Sequence, residues 1–155
     1  MQSAFRFLFL ALAIGLLSAC SGDEESPEEQ IRRFIDAGVQ AAESRSVDGL
    51  SELLHRDFID EKGNNRSQVA KLLRVYFIRH KNIHLFTRID NIEMLTDNQA
   101  SVSLYVAMAG TVIADVDALA SLRARVYRFE FQLLKQDEWR LRHAKWEPAN
   151  IGAFE

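Results

Sequence analysis

Val126-Tyr127-Arg128-Phe129-Glu130-Phe131-Gln132-Leu133-Leu134-Lys135, followed after Gln136-Asp137 by Glu138-Trp139-Arg140-Leu141-Arg142-His143, is the most strictly alternating part of the chain, and an architecture follows from it. Aromatic and aliphatic side chains alternate with polar ones through both segments. Successive side chains of a strand point to opposite faces, so each segment predicts a strand with one apolar side. A three-residue loop, Lys135-Gln136-Asp137, pairs Leu133 with Trp139, Phe131 with Leu141 and Phe129 with His143. Gln132 then faces Arg140, and Glu130 faces Arg142, on the polar side. A two-residue loop sets Arg142 against Phe131, and a one-residue slip sends every side chain to the wrong face. The segregated register is therefore the expected one.

The period of two reaches back to Ile83. Residues Ile83–Leu95, Ala100–Ala109, Leu122–Leu134 and Glu138–Trp146 predict four long strands, with a turn at Asp97-Asn98-Gln99 and Pro148 ending the sheet. In the first strand Leu85, Thr87 and Ile89 share one phase while Ile92 and Met94 share the other. A β-bulge at Asp90-Asn91 reconciles them and bends the strand. The connection Gly110–Ser121 is unusually apolar (Val112, Ile113, Val116, Leu119) and predicts a lid or a dimer contact.

Before Ile83 the period is helical. Ser26-Pro27-Glu28-Glu29 has the form of a capping box with proline at the first helical position. Ile31, Phe34, Ile35, Val39 and Ala42 then recur on one face. Ser46 caps a second short helix with Val47, Leu50, Leu53 and Leu54 inward. His55–Asp60 predicts a short edge strand, and Gly63-Asn64-Asn65 a turn. Ser67 opens a third helix with Val69, Leu72, Leu73, Tyr76, Phe77 and His80 on its inner face. The expected class is α+β: three N-terminal helices packed in the concave face of a bent four- to five-stranded antiparallel sheet.

This order resembles the NTF2-like (SnoaL-like, cystatin-like) cone. The resemblance rests on the helix Glu28–Glu43, the segment Leu53-Leu54-His55-Arg56-Asp57-Phe58-Ile59-Asp60, the helix Ser67–His80 and the terminal strand pair. It implies a pocket between sheet and helices. Some members of that family are isomerases, cyclases or dehydratases, and many others are binding or assembly modules, so fold alone does not choose.

The N-terminus has a different character. Arg6 precedes an apolar run, Phe7–Leu17, and then comes Leu17-Ser18-Ala19-Cys20. A charged start, a short apolar core and small residues predict a cleavable export signal. The run is too short to span a bilayer, which needs about 20 apolar residues. Cys20 is the only cysteine of the 155 residues, and it stands where the small residues end. Leu17-Ser18-Ala19-Cys20 resembles the lipobox of bacterial lipoproteins. That resemblance implies cleavage between Ala19 and Cys20, acylation of Cys20 and, with Ser21 following, an outer-membrane location facing the periplasm.

The expected organisation is a signal peptide over 1–19, a lipidated acidic tether over 20–27, the α+β domain over 28–148 and a C-terminal tail over 149–155. Ser21–Pro27 has no apolar residue and reaches at most about 25 Å when extended. Net charge is −3. Asp23, Glu24, Glu25, Glu28 and Glu29 stand together without a base, so the acidity lies in the tether and the domain is near balance. Bulk charge therefore recommends no nucleic-acid partner.

Candidate pocket residues are Asp90 and Asn91 at the bulge, His143 and Trp139 on the apolar face of the last strand, and Tyr76 on the third helix. A carboxylate in an apolar cavity has a raised pKa and can move a proton, which makes Asp90 the candidate base; His143 is the second. Tyr76, Tyr105 and Tyr127 are candidate oxyanion donors. His80-x-x-x-His84 lacks the glutamate of the zinc-protease motif, and no phosphate loop occurs, so no metal and no cofactor are expected. Arg123, Arg125, Arg128, Arg140, Arg142 and Lys145 predict a solvated outer face that can also dock on an acidic partner or lipid head groups. The expected function is a membrane-anchored, non-catalytic accessory that binds an envelope protein or a small apolar ligand, with homodimerisation as a further expected contact. The alternative is a cone enzyme of the isomerase or dehydratase kind.

Overall fold

The computed structural model describes residues 25–122 and 124–154. The lipobox, most of the tether and Arg123 lie outside the described residues. The chain forms α1 (Pro27–Glu43), α2 (Val47–Glu52), β1 (Leu54–Asp60), α3 (Arg66–Arg79), β2 (His84–Thr96), β3 (Gln99–Ala109), α4 (Val116–Ser121), β4 (Arg125–Lys135) and β5 (Trp139–Ala149). A 3-10 turn, Ile151–Phe154, closes the described chain. Among the described residues no helix is long and apolar enough to cross a membrane.

Local chemistry explains the helix starts. Ser26 Oγ accepts the Glu29 amide at 3.2 Å, and the Glu29 carboxylate accepts the Ser26 amide at 2.8 Å. Each satisfies a backbone donor that the first turn leaves free. Ser46 caps α2 through the Gly49 amide at 2.9 Å. The cap of α3 is Asn65, not Ser67. Asn65 Oδ1 accepts from the Gln68 amide at 3.1 Å and Gln68 Oε1 accepts from the Asn65 amide at 2.9 Å, a reciprocal box two residues earlier than the expected start at Ser67.

The five strands form one curved sheet in the order β1-β5-β4-β3-β2. β2, β3, β4 and β5 pair antiparallel, but β1 runs parallel to β5, through Leu54–Leu141 and Asp60–Ala144. The all-antiparallel expectation is corrected at this edge: β1 arrives from α2 rather than from a hairpin. The bulge in β2 is where the phase change predicts it. Ile89 faces Leu104 and Asn91 faces Ser103, leaving Asp90 as the extra residue.

The β4–β5 register differs from the expected one. Lys135 faces Trp139, Leu133 faces Leu141, and the loop is Gln136–Glu138. Arg142 is then a second extra residue, since Leu133 faces Leu141 but Gln132 faces His143. The bulge reverses the phase of β5, so Ala144 and Trp146 turn inward and His143 turns out. Pro148 does not end the sheet: it pairs with Tyr127. β1 stops at Ala144, so the neighbouring side of β5 is open at Pro148 and the missing N–H leaves no gap in a ladder.

Two clusters of buried side chains lie on opposite faces of the sheet. The concave cluster joins Ile31, Phe34 and Ile35 of α1 to Phe58, Val102, Leu104, Leu133 and Leu141. The convex cluster joins Ala107, Leu119, Val126 and Phe154. It takes in Ile113, Val116 and Leu119 of the apolar connection, which therefore packs on the convex side and is no lid over the concave one, while Val112 stays 70% exposed. It also absorbs 149–154, which pack instead of trailing: the Phe154 ring stands 5.5 Å from Phe86.

Asp60 pins the turn between β1 and α3. Its carboxylate accepts from the Lys62 amide at 2.9 Å, the Asn64 amide at 2.7 Å and Asn64 Nδ2 at 2.8 Å. Gly63 occupies φ 81°, which this turn requires. Burial raises the Asp60 pKa, but the bonds from Asn64 and Lys62 outweigh it and leave the group below its ordinary value. The folded state therefore favours the anion, and its contribution is present above the unfolded carboxylate range and lost as pH falls through the folded value. Asp60→Asn is expected to lower stability by about 1–3 kcal/mol at neutral pH and to flatten the acid limb of a pH–stability profile measured by denaturant unfolding. An unchanged acid limb contradicts this.

Candidate functional site

The concave cluster does not fill the cone. A cavity of about 330 Å³ remains between the helices and the sheet. Gly38, Val39 and Ala42 of α1 form one wall, with Leu50 and Leu53 beside them and Val69 and Leu73 of α3 opposite. The sheet supplies Thr87, Val106, Met108, Phe129 and Trp146. The Arg142 bulge is what brings Trp146 into the lining.

Gly38 opens the space. It lies inside an amphipathic helix, on the stripe that elsewhere carries Phe34 and Ile35. A Cβ there meets nothing nearer than Leu53 Cδ1 at 3.7 Å, an ordinary contact. The absence of a side chain is thus not forced by backbone or crowding.

The lining is almost wholly hydrocarbon. Only the Thr87 hydroxyl and the Trp146 indole offer side-chain hydrogen bonds, and no carboxylate, imidazole, amine or phenol is among the lining side chains. At the edge, the Tyr76 hydroxyl donates to Met108 Sδ at 2.8 Å, and its ring stacks on His80 at 4.2 Å. Burial pushes the Tyr76 hydroxyl above its usual pKa, with Arg125 pulling the other way, so it remains a neutral donor at physiological pH.

The five candidate pocket residues are not brought together. Asp90 is exposed on the convex side, accepting from Ser103 Oγ at 3.1 Å and 3.8 Å from Arg88. Asn91 is exposed beside it. His143 faces Gln132 on the convex side. Trp139 is buried in the concave core without lining the cavity. Tyr76 alone reaches the edge. The physical reason is common to Asp90 and His143. At a bulge the extra residue and its neighbour leave the alternation, and both bulges turn the polar group outward. Sequence reading missed Gly38, whose signal was a glycine inside an otherwise apolar helical stripe. Of the basic residues, Arg128 and Lys145 share Glu130, at 3.0 and 3.7 Å, and Arg140 holds Glu138 at 2.8 Å.

No protein-family model and no curated protein matches the sequence. Solved structures do match. Bd1075 of Bdellovibrio bacteriovorus aligns over 78% of this chain with TM-score 0.64 and 13% identity; the chain spans only 41% of that protein. An NTF-2 like protein of unknown function from Shewanella oneidensis aligns over 78% of this chain and 98% of its own, with TM-score 0.57 and 16% identity. A ketosteroid isomerase-like protein from Erwinia carotovora aligns over 77% of this chain and 94% of its own, with TM-score 0.58 and 11% identity. At these identities the likeness is one of fold. The domain has the NTF2-like architecture.

Glycine inside a helix is about 1 kcal/mol less favourable than alanine. Because the added methyl meets only an ordinary contact, Gly38→Ala is expected to stabilise the domain by roughly 0.4–1 kcal/mol. Thermal unfolding should show a rise of a few degrees; a fall in Tm contradicts the open geometry at this position.

Proposed function

We propose that the chain is an exported, lipid-anchored accessory domain whose cone holds a small apolar ligand. One observation carries the ligand: a cavity of about 330 Å³ whose lining offers hydrocarbon and two neutral hydrogen-bonding groups. That volume is in the range of small-molecule sites, and such sites are mostly apolar with a few polar groups that orient the guest. Water gains little there, since an apolar cavity gives it too few partners.

The tether is supported by the sequence Leu17-Ser18-Ala19-Cys20 with its apolar leader. Cys20 takes the acyl chains in this reading, and two or more chains make a stable anchor where one is marginal. The domain then works within a short tether's reach of the bilayer, on the periplasmic side of an outer membrane. Catalysis has weaker support. A base must lie within hydrogen-bond reach of the proton it takes, and Asp90 and His143 both lie on the far side of the sheet from the cavity.

Two measurements test the proposal. A fluorescent fatty-acid probe is expected to bind the wild-type protein and to bind Gly38→Phe more than about tenfold more weakly, since the ring displaces at least two methylene equivalents at about 0.8 kcal/mol each. Equal binding by both proteins removes the cavity from consideration. For the anchor, Cys20→Ser is expected to accumulate as an uncut precursor without incorporating labelled fatty acid. Normal incorporation in that mutant refutes it.

A further inference from the structure

α3 is apolar on two sides. Val69 and Leu73 face the cavity, and Phe77 is buried. Leu72, Val75 and Ile78 project the other way and are 57%, 49% and 78% exposed. Leu72 thus stands outside, against the expectation that it faces inward. α1 shows the ordinary arrangement: its outer face carries Arg32, Arg33, Asp36 and Gln40. A helix apolar on both faces has something to bury on both.

Charge indicates what covers the outer one. Arg66, Lys71, Arg74, Arg79 and Lys81 lie on or just beyond α3, and no acidic residue occurs from Arg66 to His84. Among the described residues none of these five cations is in an ion pair. Elsewhere several arginines have carboxylates close by: Arg32 has Glu28 at 2.7 Å, Arg128 has Glu130 at 3.0 Å and Arg140 has Glu138 at 2.8 Å, and the described cations there without one, such as Arg45 and Arg125, are not gathered on a single helix. At about 100° per residue, Lys71 falls between Val75 and Ile78 around the helix, with Arg74 beyond Ile78 and Arg79 beyond Val75. Aliphatic tips interleaved with unpaired cations match a bilayer interface, where apolar side chains enter the acyl boundary and cations meet anionic head groups. A protein partner of complementary chemistry would need an acidic rim around an apolar groove; among the described residues the lining of the concave cavity carries no carboxylate, and sedimentation tests a second copy directly.

We propose that the outer face of α3, through Leu72, Val75 and Ile78 with Lys71, Arg74 and Arg79, docks on an anionic bilayer surface. The inference gives the tethered module an orientation. One of the helices that wall the cavity is then the one lying on the lipid, so the cavity is next to the source of apolar guests.

The test uses the full chain on vesicles, with a polarity-sensitive fluorophore on Ile78→Cys and, as the opposite-face control, on Gln132→Cys. The parent chain labelled in parallel gives the background from any unacylated Cys20. On phosphatidylglycerol–phosphatidylethanolamine vesicles the label at position 78 is expected to shift blue and to be quenched by brominated lipid, while the label at position 132 is not. On phosphatidylcholine the shift should be small. Each of Lys71→Gln and Arg74→Gln should reduce the docked-to-undocked ratio roughly fivefold, as expected for one cation near an anionic surface. Circular dichroism of each variant checks folding. Retention on phosphatidylcholine vesicles reads the lipid anchor alone, so failure of the anchor and failure of α3 docking are separable. A label at position 78 that stays in water on anionic vesicles overturns the proposal. So does a label there that is buried without lipid in a dimer detected by sedimentation, which would assign the stripe to a second copy.

Discussion

Opposite Leu133 and Gln132 the β5 backbone carries one residue more than β4, and Arg142 is that residue. Its guanidinium donates to the Asp57 carbonyl of β1, so the bulge also helps hold the parallel edge strand. Past this point the alternation of β5 is reversed. Ala144 and Trp146 face the helices, His143 and Lys145 face water, and the inner surface becomes hydrocarbon. The bulge at Asp90 has the same effect on β2, keeping Leu85, Ile89 and Ile92 against the concave core while Glu93, which strict alternation would turn inward, faces out with Ser101. Two single-residue insertions thus remove the ionisable groups that strict alternation would have pointed into the cone. Bulges bend strands and redirect side chains, and here they determine the chemistry of the interior.

A cone whose floor is apolar must be covered, and α1, α2 and α3 cover it incompletely. Gly38 withholds a side chain where the stripe of α1 crosses the space, and its neighbours do not collapse into it. Missing contacts on one side of every lining atom weaken packing, so a guest that restores them stabilises the domain. On the other face of the sheet, α4 and the 3-10 turn build a second small core around Leu119 and Phe154. That core braces the sheet from behind and leaves the concave side free of structural duty at the cavity.

Much of this was legible in the residues. Ser26 and Glu29 announced a capping box that forms as read, and the phase change from Ile89 to Ile92 located the first bulge. The second bulge was hidden because Trp139, Leu141 and His143 continue a plausible alternation, and a histidine is tolerated on either face. Only Ala144 and Trp146 disagree, and alanine is too small to decide a face. The inward expectation for Leu72 fails for a related reason. With aliphatic residues at 69, 72, 73, 75 and 78, α3 has apolar positions nearly all round, so periodicity loses its direction. The connection 110–121 is unusually apolar in sequence, but its burial partner Phe154 lies far along the chain, beyond the reach of any local pattern. The candidate site followed the polar residues, whereas the cavity is defined by a glycine and by hydrocarbon.

The fold and the cavity support the proposal of a module that holds an apolar molecule, and the sequence around Cys20 supports placing it close to a bilayer. Native mass spectrometry of the protein extracted from its own membranes in mild detergent addresses this most directly. One apolar molecule per chain, released on unfolding and identifiable in the organic extract, is the expected result. A chain that flies without any guest from every preparation, with its cone intact, contradicts it.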